Sequence, residues 1–102
     1  MHDGFLESWF FDQDTPTDSG VMAMATIEPG VSCGLQMHNA EEFFYIVRGQ
    51  GAGEIGGDEA TLEAGLALYV PANTPHNFTN TSDSNLEILY FMSEKHCTTT
   101  KL

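Results

Sequence analysis

No segment of ten or more residues in this chain carries a helical, 3.6-residue apolar repeat without meeting a glycine or a proline. What remains is a series of short apolar runs separated by turn residues. Such a chain buries its apolar side chains only by pairing strands, so the fold class is all-β, a sandwich or barrel. Residues 5–11 read as a first, aromatic-rich strand, and residues 12–20, with Pro16 inside, as a loop. Residues 21–27 alternate: Val21, Ala23, Ala25 and Ile27 share one face, Met22, Met24 and Thr26 the other. Glu28-Pro29-Gly30 is a turn, residues 32–38 a strand, and Asn39-Ala40 a short break.

The strand over residues 42–47 is rich in aromatic and β-branched side chains. Gly49, Gly51, Gly53, Gly56 and Gly57 punctuate a hairpin whose flanks are residues 51–55 and 59–63. Two short strands, 67–70 and 76–79, flank Pro71-Ala72-Asn73-Thr74-Pro75; residues 86–92 form the last strand and residues 93–102 a tail. About eight to ten short strands result, as usual strand lengths require. A chain of 102 residues has room for one core, so residues 1–102 read as one domain with its core over about 21–92.

Charge narrows the partners. Arg48, Lys95 and Lys101 stand against fifteen acids, for a net charge of −12. A surface so poor in cations does not neutralise a phosphate backbone or an anionic bilayer, so neither nucleic acid nor membrane is an expected partner. The acidity suits a high-salt habitat, where ions screen self-repulsion, and equally suits plain solubility. The first residues have no basic region leading into an apolar run, and no stretch is long and apolar enough to span a bilayer. Cys33 and Cys97 are far apart and outside any C-x-x-C pair, and read as free thiols of a cytoplasmic protein.

The chemistry concentrates in two places. Gln36 and His38, two apart on one strand, point to the same face. Glu42 opens the next strand, with Phe44 and Ile46 on its face; His76 follows a proline-bracketed turn, with Phe78 and Asn80 on its own. Two imidazoles and a carboxylate suit one divalent ion (Fe, Mn, Ni, Co or Zn), and Gln36 can add a neutral amide oxygen. Glu41, of opposite parity to Glu42, is expected in solvent, Arg48 in a surface ion pair, and His2 and His96 in the termini. Met22, Met24, Phe44, Phe78 and Tyr90 are expected pocket residues, with Tyr45 and Tyr69 as further candidates.

The spacing Gly30-x5-Gln36-x-His38-x3-Glu42-x6-Gly49 resembles the first cupin motif, except that a glutamine replaces its first histidine. Gly65-x5-Pro71-x-Asn73-x2-His76-x3-Asn80 resembles the second, with Asn73 in place of a glycine; asparagine is the commonest other residue at positive φ. The resemblance covers about residues 21–92. It implies a double-stranded β-helix, or jelly-roll, barrel, often dimeric, with His38, Glu42 and His76 as metal ligands and Gln36 in the fourth position. The Q-x-H pair is also similar to that of the phosphomannose isomerases in the same superfamily, whose ligand set is Gln, His, Glu, His. A homodimer through sheet edges, helped by the aromatic strand 5–11, is therefore expected.

Three functions follow from the resemblance. The first is a dioxygenase-type enzyme acting on a small metabolite inside the barrel. The alternative is an isomerase, epimerase or cyclase using the metal as a Lewis acid. The third is a non-catalytic module that binds a small molecule. A sugar phosphate is disfavoured because no cluster of Arg or Lys awaits its dianion.

Overall fold

The computed structural model describes residues 4–102. Its ten strands are β1 (Phe5–Phe11), β2 (Val21–Ile27), β3 (Gln36–His38), β4 (Glu42–Arg48), β5 (Gln50–Ile55), β6 (Asp58–Glu63), β7 (Ala67–Val70), β8 (His76–Thr79), β9 (Leu86–Met92) and β10 (Thr99–Lys101). They form two five-stranded sheets, ordered β1-β2-β9-β4-β7 and β10-β3-β8-β5-β6, with antiparallel pairing throughout. The sheets close face to face as a jelly-roll barrel. Among the described residues there is no helix, and so none long and apolar enough to cross a membrane.

Alternation decides what goes inside. Val21, Ala23, Ala25 and Ile27 of β2 face Leu86, Ile88, Tyr90 and Met92 of β9, and all eight are buried. Phe44 and Ile46 extend this surface from β4; Leu62 and Phe78 meet it from the opposite sheet. Small alanines on β2 leave space in front of them, and the cavity described below uses it. Gly49 shows why a motif glycine is needed: φ is +96°, and an added Cβ would lie 2.5 Å from the Asn85 carbonyl oxygen.

Three expectations need correction. The strand over residues 32–38 is shorter: only Gln36–His38 joins the ladder, and Ser32 makes an isolated bridge to Thr79. Gly34, at φ +87°, breaks the extended run between them. The expected tail contains β10, which pairs with β3 through Thr99↔His38, Thr100↔Met37 and Lys101↔Gln36. Two β-branched threonines there cover an edge that β3 would otherwise leave open.

The third correction concerns Met22 and Met24, which point away from the interior. Across the outer face of the first sheet, pairing aligns Phe11, Met22, Phe91, Phe43 and Tyr69 in one row, with Met24, Leu89 and Tyr45 in the next. Phe11, Phe43, Tyr45 and Tyr69 are each about half exposed, and Phe43 packs 5.3 Å from Tyr69 and 6.2 Å from Phe91, centre to centre. A continuous apolar band this wide suits a second copy of the same surface. In place of the sheet edges expected from the sequence, we propose this face as the homodimer interface, read as a dimer mass by light scattering at tens of micromolar. Phe43→Asp, at the centre of the row, should give monomers. With a net charge of −12 on each chain, the dimer should also tighten from low to high salt. A wild-type monomer under both conditions would refute it.

Candidate metal centre

β3 carries Gln36 and His38 on its inward face, β4 begins with Glu42, and β8 begins with His76. The second-motif turn is tied to the first motif, since the Asn73 N–H donates to the His38 carbonyl at 2.6 Å. Asn73 holds φ +59°, the left-handed conformation in which asparagine stands in for glycine. The ligand atoms of His38, Glu42 and His76 all lie within 4.8 Å of one another. His38 Nε2 is 3.3 Å and His76 Nε2 3.1 Å from Glu42 Oε1, and all three residues are buried.

Hydrogen bonds on the far side of each ring set its orientation. His76 Nδ1 lies 2.9 Å from the Thr74 carbonyl, which only accepts, so Nδ1 carries a proton and Nε2 faces Glu42. His38 Nδ1 lies 2.9 Å from Thr99 Oγ1 of β10. Glu42 Oε1 is buried between His38 Nε2 and His76 Nε2 with no hydrogen-bond partner. A buried carboxylate in that state needs a positive charge. Burial works against a charge on His76, but the Glu42 carboxylate and the Thr74 carbonyl outweigh it and raise the His76 pKa, which favours a proton there when no metal is bound. Burial, with His76 alongside, lowers the His38 pKa despite Glu42. A divalent ion at the convergence point satisfies all three donors, so the residues present fit a metal.

Gln36 is half-buried, sits opposite His76 in the strand register and lines the same cavity. That cavity, about 420 Å³, opens from the ligand cluster toward β1 and β10. Trp9, Phe44, Phe78, Ile88, Tyr90 and Met92 form much of its wall. Phe44 meets Phe78 edge-on at 4.8 Å, and Trp9 meets Tyr90 likewise at 6.2 Å. The interior of the site is thus apolar and aromatic around one polar corner. Of the expected pocket residues, Phe44, Phe78 and Tyr90 line it; Met22 and Met24 do not, because β2 turns its alanine face inward.

Sequence reasoning missed Glu7, Trp9, Thr99 and Lys101 as cavity residues. The alternation of residues 5–11 puts Phe5, Glu7 and Trp9 on one face, a signal that was readable. Which face turns inward depends on pairing with β2, where Glu7 meets Ala25 and Trp9 meets Ala23. The Tyr90 hydroxyl donates to Glu7 Oε2, and burial together with Glu7 pushes its pKa well above an ordinary phenol, so it stays a donor. Cys33 also lines the cavity, but burial, with Glu7 adding, pushes its thiol up to about 12, which leaves it protonated and a poor ligand.

The remaining candidates lie outside. Tyr45 and Tyr69 are on the outer face, and the Tyr69 hydroxyl donates to exposed Glu41. Arg48 pairs with Glu87 at 3.6 Å. His96 is exposed in a turn, His2 lies outside the described residues, and both cysteines are free.

The cupin-domain family profile matches residues 23–92. The polyketide synthase CurC of Streptomyces cyaneus is 30% identical over 76 residues, which is 74% of this chain and 49% of that protein. The chain spans about half the length of the curated relatives it matches. The polyketide cyclase RemF from Streptomyces resistomycificus superposes with a TM-score of 0.85 at 17% identity, over 97% of this chain and 71% of that one. Salicylate 1,2-dioxygenase from Pseudoaminobacter salicylatoxidans, in its gentisate adducts, superposes with a TM-score of 0.87 at 14% identity, over 99% and 30%. Identities this low establish a shared fold and nothing finer.

Proposed function

Because the chain belongs to the cupin family, we propose that it is a metal-dependent enzyme closing rings in a small aromatic, polyketide-like molecule. One observation carries this reading. The His38, Glu42, His76 cluster opens into an aromatic cavity holding a carboxylate, Glu7, that lies outside the ligand set. A divalent ion held by His38, Glu42 and His76, with the Gln36 amide oxygen beside it, would supply Lewis-acid polarisation of a substrate carbonyl.

The chain's other residues supply positioning and proton transfer. Phe44, Phe78 and the half-exposed Trp9 offer flat faces against which an aromatic ring packs. Glu7, held by the Tyr90 hydroxyl, takes a proton from a methylene flanked by carbonyls. The electron pair left on carbon attacks a second carbonyl of the same molecule and forms the new carbon–carbon bond. The proton then returns to that carbonyl's oxygen, and the new hydroxyl leaves as water with the second hydrogen of the former methylene, which makes a carbon–carbon double bond in the ring. The likeness to CurC and RemF supports this chemistry by analogy. The scarcity of cations also favours it over a sugar-phosphate reaction.

A second reading, ring cleavage with dioxygen, is favoured by the two-histidine, one-carboxylate set, which leaves positions open on an iron ion. An aryl triketone and gentisate separate the two. Zinc-loaded protein should convert the triketone to a product lighter by one water, seen by mass spectrometry, with no dioxygen uptake. Glu7→Gln should slow this by roughly 10²- to 10⁴-fold at unchanged metal content. Dioxygen uptake with gentisate by the iron-loaded protein would favour ring cleavage instead. Conversion unaffected by removing the metal would overturn both.

A further inference from the structure

The C-terminal strand brings one charge to the cavity. β10 pairs with β3 so that Thr99 faces His38 and Lys101 faces Gln36, and Gln36 in turn faces His76 on β8. Thr99 touches the His38 ring and both Thr99 and Lys101 line the cavity, which fixes the cavity-side face of β10; all three residues of the strand are solvent-exposed, so Lys101 stands at the cavity mouth. Lys101, Gln36 and His76 therefore form one cavity-side row across three strands. Two strand spacings, about 10 Å, separate its ends.

Among the described residues Lys101 is the only lysine or arginine so placed. Of the chain's three, Arg48 pairs with Glu87 on the outer side, and Lys95 Nζ donates to the Thr15 carbonyl at 2.6 Å. Among the described residues Lys101 has no carboxylate partner. The rest of this strongly acidic protein repels anions, so a lone ammonium at the end of the ligand row stands out chemically. It offers three donors to an anion held by one end in the aromatic cavity.

We infer that Lys101 is a specificity residue that anchors the carboxylate of an aromatic acid while the far end of that molecule reaches the His38, Glu42, His76 corner. This rests on reading the cavity as the substrate site, and it narrows the substrate class from aromatic ketides in general to those carrying a free acid. The arrangement differs from a phosphate site, where several cations would converge.

The test uses naphthoate and its neutral counterpart naphthamide as probes on zinc-loaded protein. Trp9 is the only tryptophan and lines the cavity, so its indole N–H gives one NMR signal whose shift reports binding. Wild type should bind naphthoate more tightly than naphthamide. Lys101→Met, which keeps the stem and removes the charge, should weaken naphthoate by roughly three- to tenfold and leave naphthamide unchanged. Lys101→Arg should restore the preference. Unchanged naphthamide binding shows that β10 is still in place in the Met variant. A preference for naphthoate that survives in Lys101→Met, equal affinities in wild type, or an equal loss of both probes would each overturn the assignment of Lys101. No shift of the Trp9 signal with either probe would overturn it together with the reading of the cavity itself.

Discussion

Alanine in place of His76 is expected to leave the protein without stoichiometric metal. The ring is one of three buried donors converging on a single point, and losing it leaves His38 and Glu42 with only the weak amide oxygen of Gln36 to complete the set. It also removes the proton carrier that satisfies Glu42 in the metal-free state, so the variant suffers with and without metal. His38→Ala should behave similarly. Gln36→Leu, close in volume but lacking the amide oxygen, should weaken binding by about tenfold, and Gln36→His should tighten it by a similar factor. Elemental analysis of protein purified without a histidine tag reads the first pair, and competition with a chelator at fixed pH reads the second. Metal removal supplies a further check, since ligand at about 1,000 times its Kd stabilises a fold by roughly 4 kcal/mol. Wild type should lose that increment of thermal stability on chelation, and His76→Ala should show no change. Equal metal in wild type and His76→Ala would sink the assignment; tight binding by Gln36→Leu would limit that failure to Gln36.

The second large effect is structural. Asn80 is fully buried, and its side chain spends all its hydrogen-bonding capacity. Nδ2 donates to the carbonyls of Ile27 and Ser84 at 2.8 Å each, and Oδ1 accepts from the Ser82 N–H and the Ser82 hydroxyl at 2.9 Å each. Its backbone N–H donates to Val31, and its carbonyl accepts from Gly30. The side chain thus ties the end of β2 to the loop leading into β9, and the backbone of the same residue holds the turn after β2. Asn80→Ala takes the side-chain partner from the Ile27 carbonyl and from the Ser82 N–H, while the Ser84 carbonyl keeps the Ser82 hydroxyl, and opens a small void, at a cost of about 1–3 kcal/mol for each orphaned group. The sum, of order 3 kcal/mol, should lower Tm by more than about 10 °C for a domain of this size. Urea denaturation of wild type and variant measures it directly. A loss below about 1 kcal/mol would mean that water takes over the partners and that the network contributes little.

How much of this could be read beforehand depended on whether a feature was local. Alternation in residues 21–27 and 86–92 is a property of each strand, and both boundaries agree with the structure. The ligand spacing is local as well: two residues apart on one strand, then four more across a short break, puts His38 and Glu42 together without knowledge of the rest. Gln36 shared that parity, and it does line the cavity beside His76. Met22 and Met24 failed for a non-local reason, because large apolar side chains look like core until pairing shows that the small face of β2 turns inward. β10 failed because three residues, Thr-Thr-Lys, carry almost no pattern; only the open edge of β3 makes them a strand. The shared face of Phe5, Glu7 and Trp9 was legible, but an acid in an aromatic strand reads as its solvent face, and only pairing with β2 turns that face toward the cavity.

The cavity wall divides between the span that matches the family profile and the strands that flank it. Everything that would grip the ion sits within residues 23–92, the span matching the family profile, whereas β1 and β10 lie outside it and bring Glu7, Trp9, Thr99 and Lys101 to the wall. Such a division lets the flanking strands drift or be exchanged while the ion-holding middle stays intact. Relatives recognised by the middle alone would then share an ion and differ in what they accept. A chimera carrying this chain's middle between another cupin's flanking strands should keep the metal of the first parent and take the ligand preference of the second.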